Sequence, residues 1–158
     1  MDHEPEKNFA NLLVSELNQL SLLLDVLTRE TEALLSTDIS EIEALTGEKN
    51  RLLDSQRHAT HAREQFMQKM TGSKGREGME KLASDSINPK PLLTAINDLN
   101  DLATRCQEIN RHNGKLILKQ QRYATSALNI LRQENTTPTY SNHGDKVSGT
   151  STRSFGKA

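Results

Sequence analysis

His112 and Lys115 stand three residues apart in His112-Asn113-Gly114-Lys115, a spacing at which an exposed imidazole on a helix could accept a phosphoryl group beside a positive charge. Modules that work this way carry a small residue directly after the lysine, and Leu116 follows here, so a His phosphotransfer module is the weakest of the functional readings. His58 and His61, with Glu64 on the same helical face, could in principle hold a metal. A zinc site, however, takes three or four ligands held by a supporting shell, and these charge-rich surroundings read as a solvated face. Cys106 falls on an apolar stripe, which suits a buried thiol better than a nucleophile. No Gly-rich phosphate loop and no Ser/His/Asp arrangement occurs. The expectation is a protein that is not an enzyme and takes no metal or other cofactor.

Asn113-Gly114 is a different kind of signal. Glycine costs about 1 kcal/mol relative to alanine inside a helix, so its presence asks for a reason. One reading has Asn113 fixing register across a helix seam and Gly114 admitting the close approach of another helix. The other makes the pair a hinge or a docking point for a partner helix. The residues alone leave both open.

The elements that must position these residues are helical. From Phe9 the apolar positions Leu13, Leu17, Leu20, Leu24, Leu27 and Leu34 follow a heptad seam interrupted at Thr31, widened by Leu12, Leu23 and Leu35. This predicts a first helix over about 6–36. Asp38 with Glu41 three residues later has the form of a capping box and opens a second helix, about 39–70, after a very short turn. Ile42, Leu45, Leu52, Ala59, Phe66 and Met70 keep the register there, but Lys49, Gln56 and Arg63 share the stripe. Helix two is therefore expected to pack loosely or to be partly solvated on that side.

Gly72, Gly75 and Gly78 should end helix two, leaving at most one loose turn over residues 79–84. Asn88 can cap a third helix and Pro89 and Pro91 suit its first turn. That helix, about 89–133, carries the stripe Leu92, Ile96, Leu99, Ala103, Cys106, Asn113, Gln120 and Ala127. A parallel row runs through Leu102, Ile109, Leu116, Tyr123 and Ile130. Two rows imply two packing surfaces, one of them available to a partner. The fold class is all-α: an elongated antiparallel three-helix bundle or coiled coil over residues 1–134, with a flexible tail over 135–158.

Bulk properties agree. Across 158 residues, 20 Lys+Arg against 21 Asp+Glu give no reason to expect nucleic acid or an anionic membrane surface. With 34% hydrophobic and only 3% aromatic residues, the apolar content suits helix seams more than a thick core. No stretch reaches the roughly 20 apolar residues of a membrane span, the acidic start is unlike a secretory signal, and a lone cysteine fits a reducing compartment. A cytoplasmic protein with a protein partner is expected. The tail, with nine Ser/Thr and three Gly, cannot bury enough hydrocarbon to order itself. Its aromatics Tyr140 and Phe155 are candidate anchors of a short linear motif, with Arg153 and Lys157 reading acidic groups on the receptor.

Three segments resemble the FlgN family of flagellar type III export chaperones. Glu48-Lys49-Asn50-Arg51-Leu52-Leu53 is similar to the family's acid-Lys-x-x-Leu-Leu stretch. More specific is Ile109-Asn110-Arg111-His112-Asn113-Gly114-Lys115-Leu116-Ile117, followed by Ala127-Leu128-Asn129-Ile130-Leu131. Pro138-Thr139-Tyr140, Gly144 and Arg153-Ser154-Phe155-Gly156-Lys157 resemble the family's tail pattern, with Ser141 standing where glycine is usual.

The resemblance implies a chaperone for the hook-associated proteins 1 and 3 (FlgK and FlgL), covering their C-terminal helices and delivering them to the export gate protein FlhA through its cytosolic domain. Client contact would fall on Asn113, Gly114, Leu116, Ile117, Tyr123, Ala127, Ile130 and Leu131. Gate docking would fall on Tyr140, Arg153 and Phe155. Self-association of the unloaded chain through the same rows is compatible with this reading. The rival of a different class is a structural coiled-coil scaffold or adaptor.

Overall fold

The computed structural model describes residues 4–134, and the expected flexible tail, 135–158, lies outside the described residues. Four helices follow in order: α1 (Glu4–Ser36), α2 (Ile39–Thr71), α3 (Gly75–Ser84) and α4 (Pro89–Glu134). The chain divides into two compact units, residues 1–122 and the residues from Tyr123 onward. The all-α expectation holds, with one helix more than the sequence suggested.

The turn between α1 and α2 takes only Thr37 and Asp38. Thr37 adopts φ 58°, a left-handed conformation that costs a β-branched residue some strain. It lets the Asp38 N–H reach back to the Ala33 carbonyl at 3.0 Å, the six-to-one bond that closes a helix end. Asp38 then opens α2, its side chain accepting from the Glu41 N–H at 3.0 Å. The Glu41 carboxylate does not complete a reciprocal box; it takes the Arg29 guanidinium at 3.3 Å, tying the two helices beside the turn.

Within α1 the buried line is Phe9, Leu13, Glu16, Leu20, Leu23, Leu27, Glu30 and Leu34, an unbroken alternation of four and three. This corrects the seam expected from leucines alone. Leu17 and Leu24 are half-buried and Leu35 is exposed, while two glutamates occupy core positions. Phe9 stacks on Phe66 of α2 with ring centroids 6.5 Å apart.

The three glycines do not simply break the chain. Gly72 ends α2 at φ 72°, its N–H bonded to the Gln68 carbonyl at 3.1 Å. Gly75, also at positive φ, begins a ten-residue helix where only a loose turn was expected. Gly78 is buried in α3. A Cβ there would lie 2.9 Å from the Ser73 carbonyl oxygen and 2.7 Å from Met67 Cε, so glycine is required by close approach, not by backbone freedom. Met79 and Ala83 join the main core from α3.

Pro89 is the first residue of α4, where its missing N–H costs nothing. Three contacts give the register of α4 on α1. Cys106 faces the Leu20 carbonyl, Asn113 the Leu27 carbonyl and Gln120 the Leu34 carbonyl. Each step is one heptad on both helices in the same direction, so α4 runs parallel to α1 while α2 runs antiparallel. In this register Ser36, the last residue of α1, corresponds to Arg122.

Candidate functional site

α2 buries only Leu45, Arg63 and Met67 where α1 buries ten residues, as its mixed stripe led one to expect; of the polar stripe residues Lys49 and Gln56 are half-buried and Arg63 is buried. Arg63 is 6% exposed and its Nε donates to Glu16 Oε2 at 2.5 Å, with Nη2 3.4 Å from Oε1. Glu16 Oε1 also accepts from Thr60 at 2.6 Å and from Gln56 Nε2 at 3.2 Å. Two heptads further along α1, Glu30 accepts from Lys49 Nζ at 2.6 Å. Each carboxylate sits where a leucine would sit, with a cation and further donors compensating its removal from water.

Asn113 belongs to the second of these nodes. It is 1% exposed; its Nδ2 donates to the Leu27 carbonyl and to Glu30 Oε2, both at 2.9 Å, and its Oδ1 accepts from the Thr31 hydroxyl at 2.7 Å. Both N–H donors of the amide and its oxygen are used within the bundle. The register role expected of Asn113 is therefore seen, but the close approach expected at Gly114 is not. Among the described residues nothing lies within 4 Å of the place its Cβ would occupy.

The other residues expected to touch a client separate by position. Leu116 and Ile117 are half-buried. In the second unit Tyr123, Ala127, Ile130 and Leu131 are exposed, and their spacing of four, three and one puts them on one helical face. Ile130 and Leu131 are 57% and 56% exposed, high for large aliphatic side chains on a helix. Tyr140, Arg153 and Phe155 lie outside the described residues.

His112 is exposed and shares a surface cavity with Glu32 and Glu108. Two carboxylates beside an imidazole oppose an incoming phosphoryl group. His58 and His61 are exposed, and the His61 ring nitrogen is 2.9 Å from the Gln65 amide. Cys106 is buried, its thiol 3.5 Å from the Leu20 carbonyl, and desolvation raises its pKa above the usual 9.0.

Glu16, Glu30 and Thr31 are structural partners that the leucine pattern hid. The signal lay in the alternation itself, which continues through positions 16 and 30. A short turn also forces α2 back along α1, bringing Lys49 and Arg63 to those glutamates.

Among the described residues no helix is long and apolar enough to cross a membrane. The FlgN protein family matches residues 1–148 of the chain. A crystal structure of a flagella synthesis protein, FlgN, from Pseudomonas aeruginosa is 27% identical; the match covers 83% of this chain and 99% of that one, with a TM-score of 0.67. None of the curated proteins matches.

Proposed function

Because the chain belongs to the FlgN family, we propose that it is a cytoplasmic chaperone of flagellar export that captures amphipathic C-terminal helices of the hook-associated proteins FlgK and FlgL and hands them to the cytosolic domain of FlhA. The observation that carries this reading is the apolar face Tyr123, Ala127, Ile130 and Leu131, exposed on the last turns of α4. A face of this kind is what an amphipathic helix lays its own apolar stripe against. Burial of hydrocarbon supplies the affinity without nucleotide, and about 1.5–3 kcal/mol per fully covered large aliphatic side chain is enough for reversible capture. Within the first unit, Gly114 and half-buried Leu116 and Ile117 are further proposed client contacts. Tyr140, Arg153 and Phe155 are the proposed gate-docking residues.

Calorimetry with a C-terminal fragment of FlgK tests the capture step. Leu131→Asp should weaken binding by at least about tenfold while leaving helicity intact, because the side chain is exposed. Unchanged affinity overturns the assignment of this face. Tyr140→Ala should spare client binding and weaken retention of the loaded complex on the FlhA cytosolic domain in a pull-down.

A further inference from the structure

The outward side of α4 carries a charge pattern that the bundle does not use. Arg111, Lys115, Lys119 and Arg122 are all exposed and stand four, four and three residues apart, which places them on one helical face within the first unit. That face is turned away from α1, since Cys106, Asn113 and Gln120 fill the α1 side. No Asp or Glu occurs between Glu108 and Glu134. One heptad line, Asp101, Glu108, Lys115 and Arg122, therefore changes sign halfway, and all four of its members are exposed.

An ordinary solvated face does not explain the row. Exposed arginines of the other helices have a carboxylate three or four residues away and pair with it: Arg29 with Asp25, Arg57 with Asp54 and Arg76 with Glu80. Arg111, Lys115 and Arg122 form no ion pair among the described residues. Along the row the neighbours at three and four residues are cations instead, an arrangement that destabilises a helix. The helix dipole does not offset this, because its effect is confined to the last turn and Arg122 stands well before the end of α4 at Glu134.

We propose that this row docks a short acidic segment of a partner polypeptide, one whose carboxylates span the distance of about 17 Å from Arg111 to Arg122. Charge complementarity selects the sign, and the flanking residues select the class. A planar anionic membrane laid along α4 would also press on Glu108 and Asp101, and the phosphate chain of a nucleic acid would run on to the same carboxylates. Residues 107–122 hold no Phe, Tyr or Trp on which a base could stack. A segment of limited length meets the cations alone. Leu118, 55% exposed, is the one large apolar side chain exposed between Arg111 and Arg122. The attraction is therefore mainly electrostatic: quick to form, sensitive to salt and readily reversed. It asks for no apolar stripe on the partner and is independent of client capture at Leu131.

The probes are two short capped peptides in an Ala/Gln host, one with four Glu at intervals of four, four and three residues and the other with Gln in those places. Neither carries a leucine to bury on the face at Leu131. Titrated against the full chain at low ionic strength and followed by fluorescence anisotropy, the Glu peptide should bind at least about tenfold tighter than the Gln peptide, and about 0.5 M salt should erase the difference. The double variant Arg111→Glu, Lys115→Glu should keep its circular dichroism, lose that preference and favour a third peptide with Lys in place of Glu. Vesicles of phosphatidylglycerol in phosphatidylcholine and a duplex DNA oligonucleotide serve as rival anions. Equal binding of the Glu and Gln peptides, a preference that survives the charge reversal, or vesicle or DNA binding that the reversal abolishes, each overturns the proposal. The comparison on the unaltered chain decides it even if the double variant folds poorly. Failure here leaves client capture at Leu131 to stand or fall by its own calorimetry.

Discussion

The Asn113 amide donates to Glu30 Oε2 at 2.9 Å while Lys49 holds the other oxygen of that carboxylate at 2.6 Å, so one buried glutamate joins α1 to both α2 and α4. A carboxylate in a leucine position can be satisfied only when all three helices are in register. A shift of α4 along α1 would strand it. Specificity of alignment is therefore built into a seam whose other members are interchangeable aliphatics.

Asn113→Ala should destabilise the chain by about 2–3 kcal/mol, the cost of removing hydrogen bonds to a buried charge. Urea unfolding followed by circular dichroism measures it. An unchanged midpoint would mean that Glu30 recruits another donor.

Glu16 and Arg63 form the second such pair, and their dependence on each other can be separated from the value of either. Arg63→Met leaves Glu16 buried without its cation and should cost about 3–5 kcal/mol. Adding Glu16→Met to that variant should restore most of the loss, because apolar residues of similar volume replace a buried pair at little net cost. If the double variant is as unstable as the single, the pair contributes more than mutual compensation.

The glycines make opposite predictions from the same substitution. Gly78→Ala drives a methyl group against the Ser73 carbonyl and should destabilise by about 1–3 kcal/mol. Gly114→Ala meets open space inside a helix and should stabilise the free chain by about 1 kcal/mol. Thermal unfolding of the two variants beside the unaltered chain tests both signs.

Much of the architecture was legible in the residues. The heptad spacing located α1, α2 and α4 to within a few positions, and Asp38 marked the turn because its side chain caps α2. What stayed hidden has physical causes. Glycine reads as a breaker, so α3 was missed where Gly78 serves close packing. Glutamate reads as surface, so Glu16 and Glu30 were passed over, and Lys49 and Arg63 looked solvated until the antiparallel partner supplied their counter-charges. Of the exposed residues on the last turns of α4, Tyr123 and Ile130 stood in an apolar row, whereas Ala127 fell on the stripe of Leu92 and Cys106 and yet is exposed.

Cys106 gives a pH-dependent readout of the same core. Burial raises its thiol pKa above 9.0, with nearby Arg105 acting weakly in the opposite sense. The native state therefore holds the proton after the unfolded chain has begun to release it. A group shifted this way contributes stability that is fully present below its ordinary pKa and is lost as pH rises through the raised native value. Stability measured by urea unfolding should fall as pH rises past the ordinary thiol pKa of about 8.5 in the unaltered chain, and less steeply in Cys106→Ala, which has no thiol to ionise. Native labelling of Cys106 by a thiol reagent should also lag that of the urea-unfolded chain at pH 8, since both thiolate fraction and access are reduced. Equal labelling rates would show that the interface of α1 and α4 opens freely at Leu20 and Cys106.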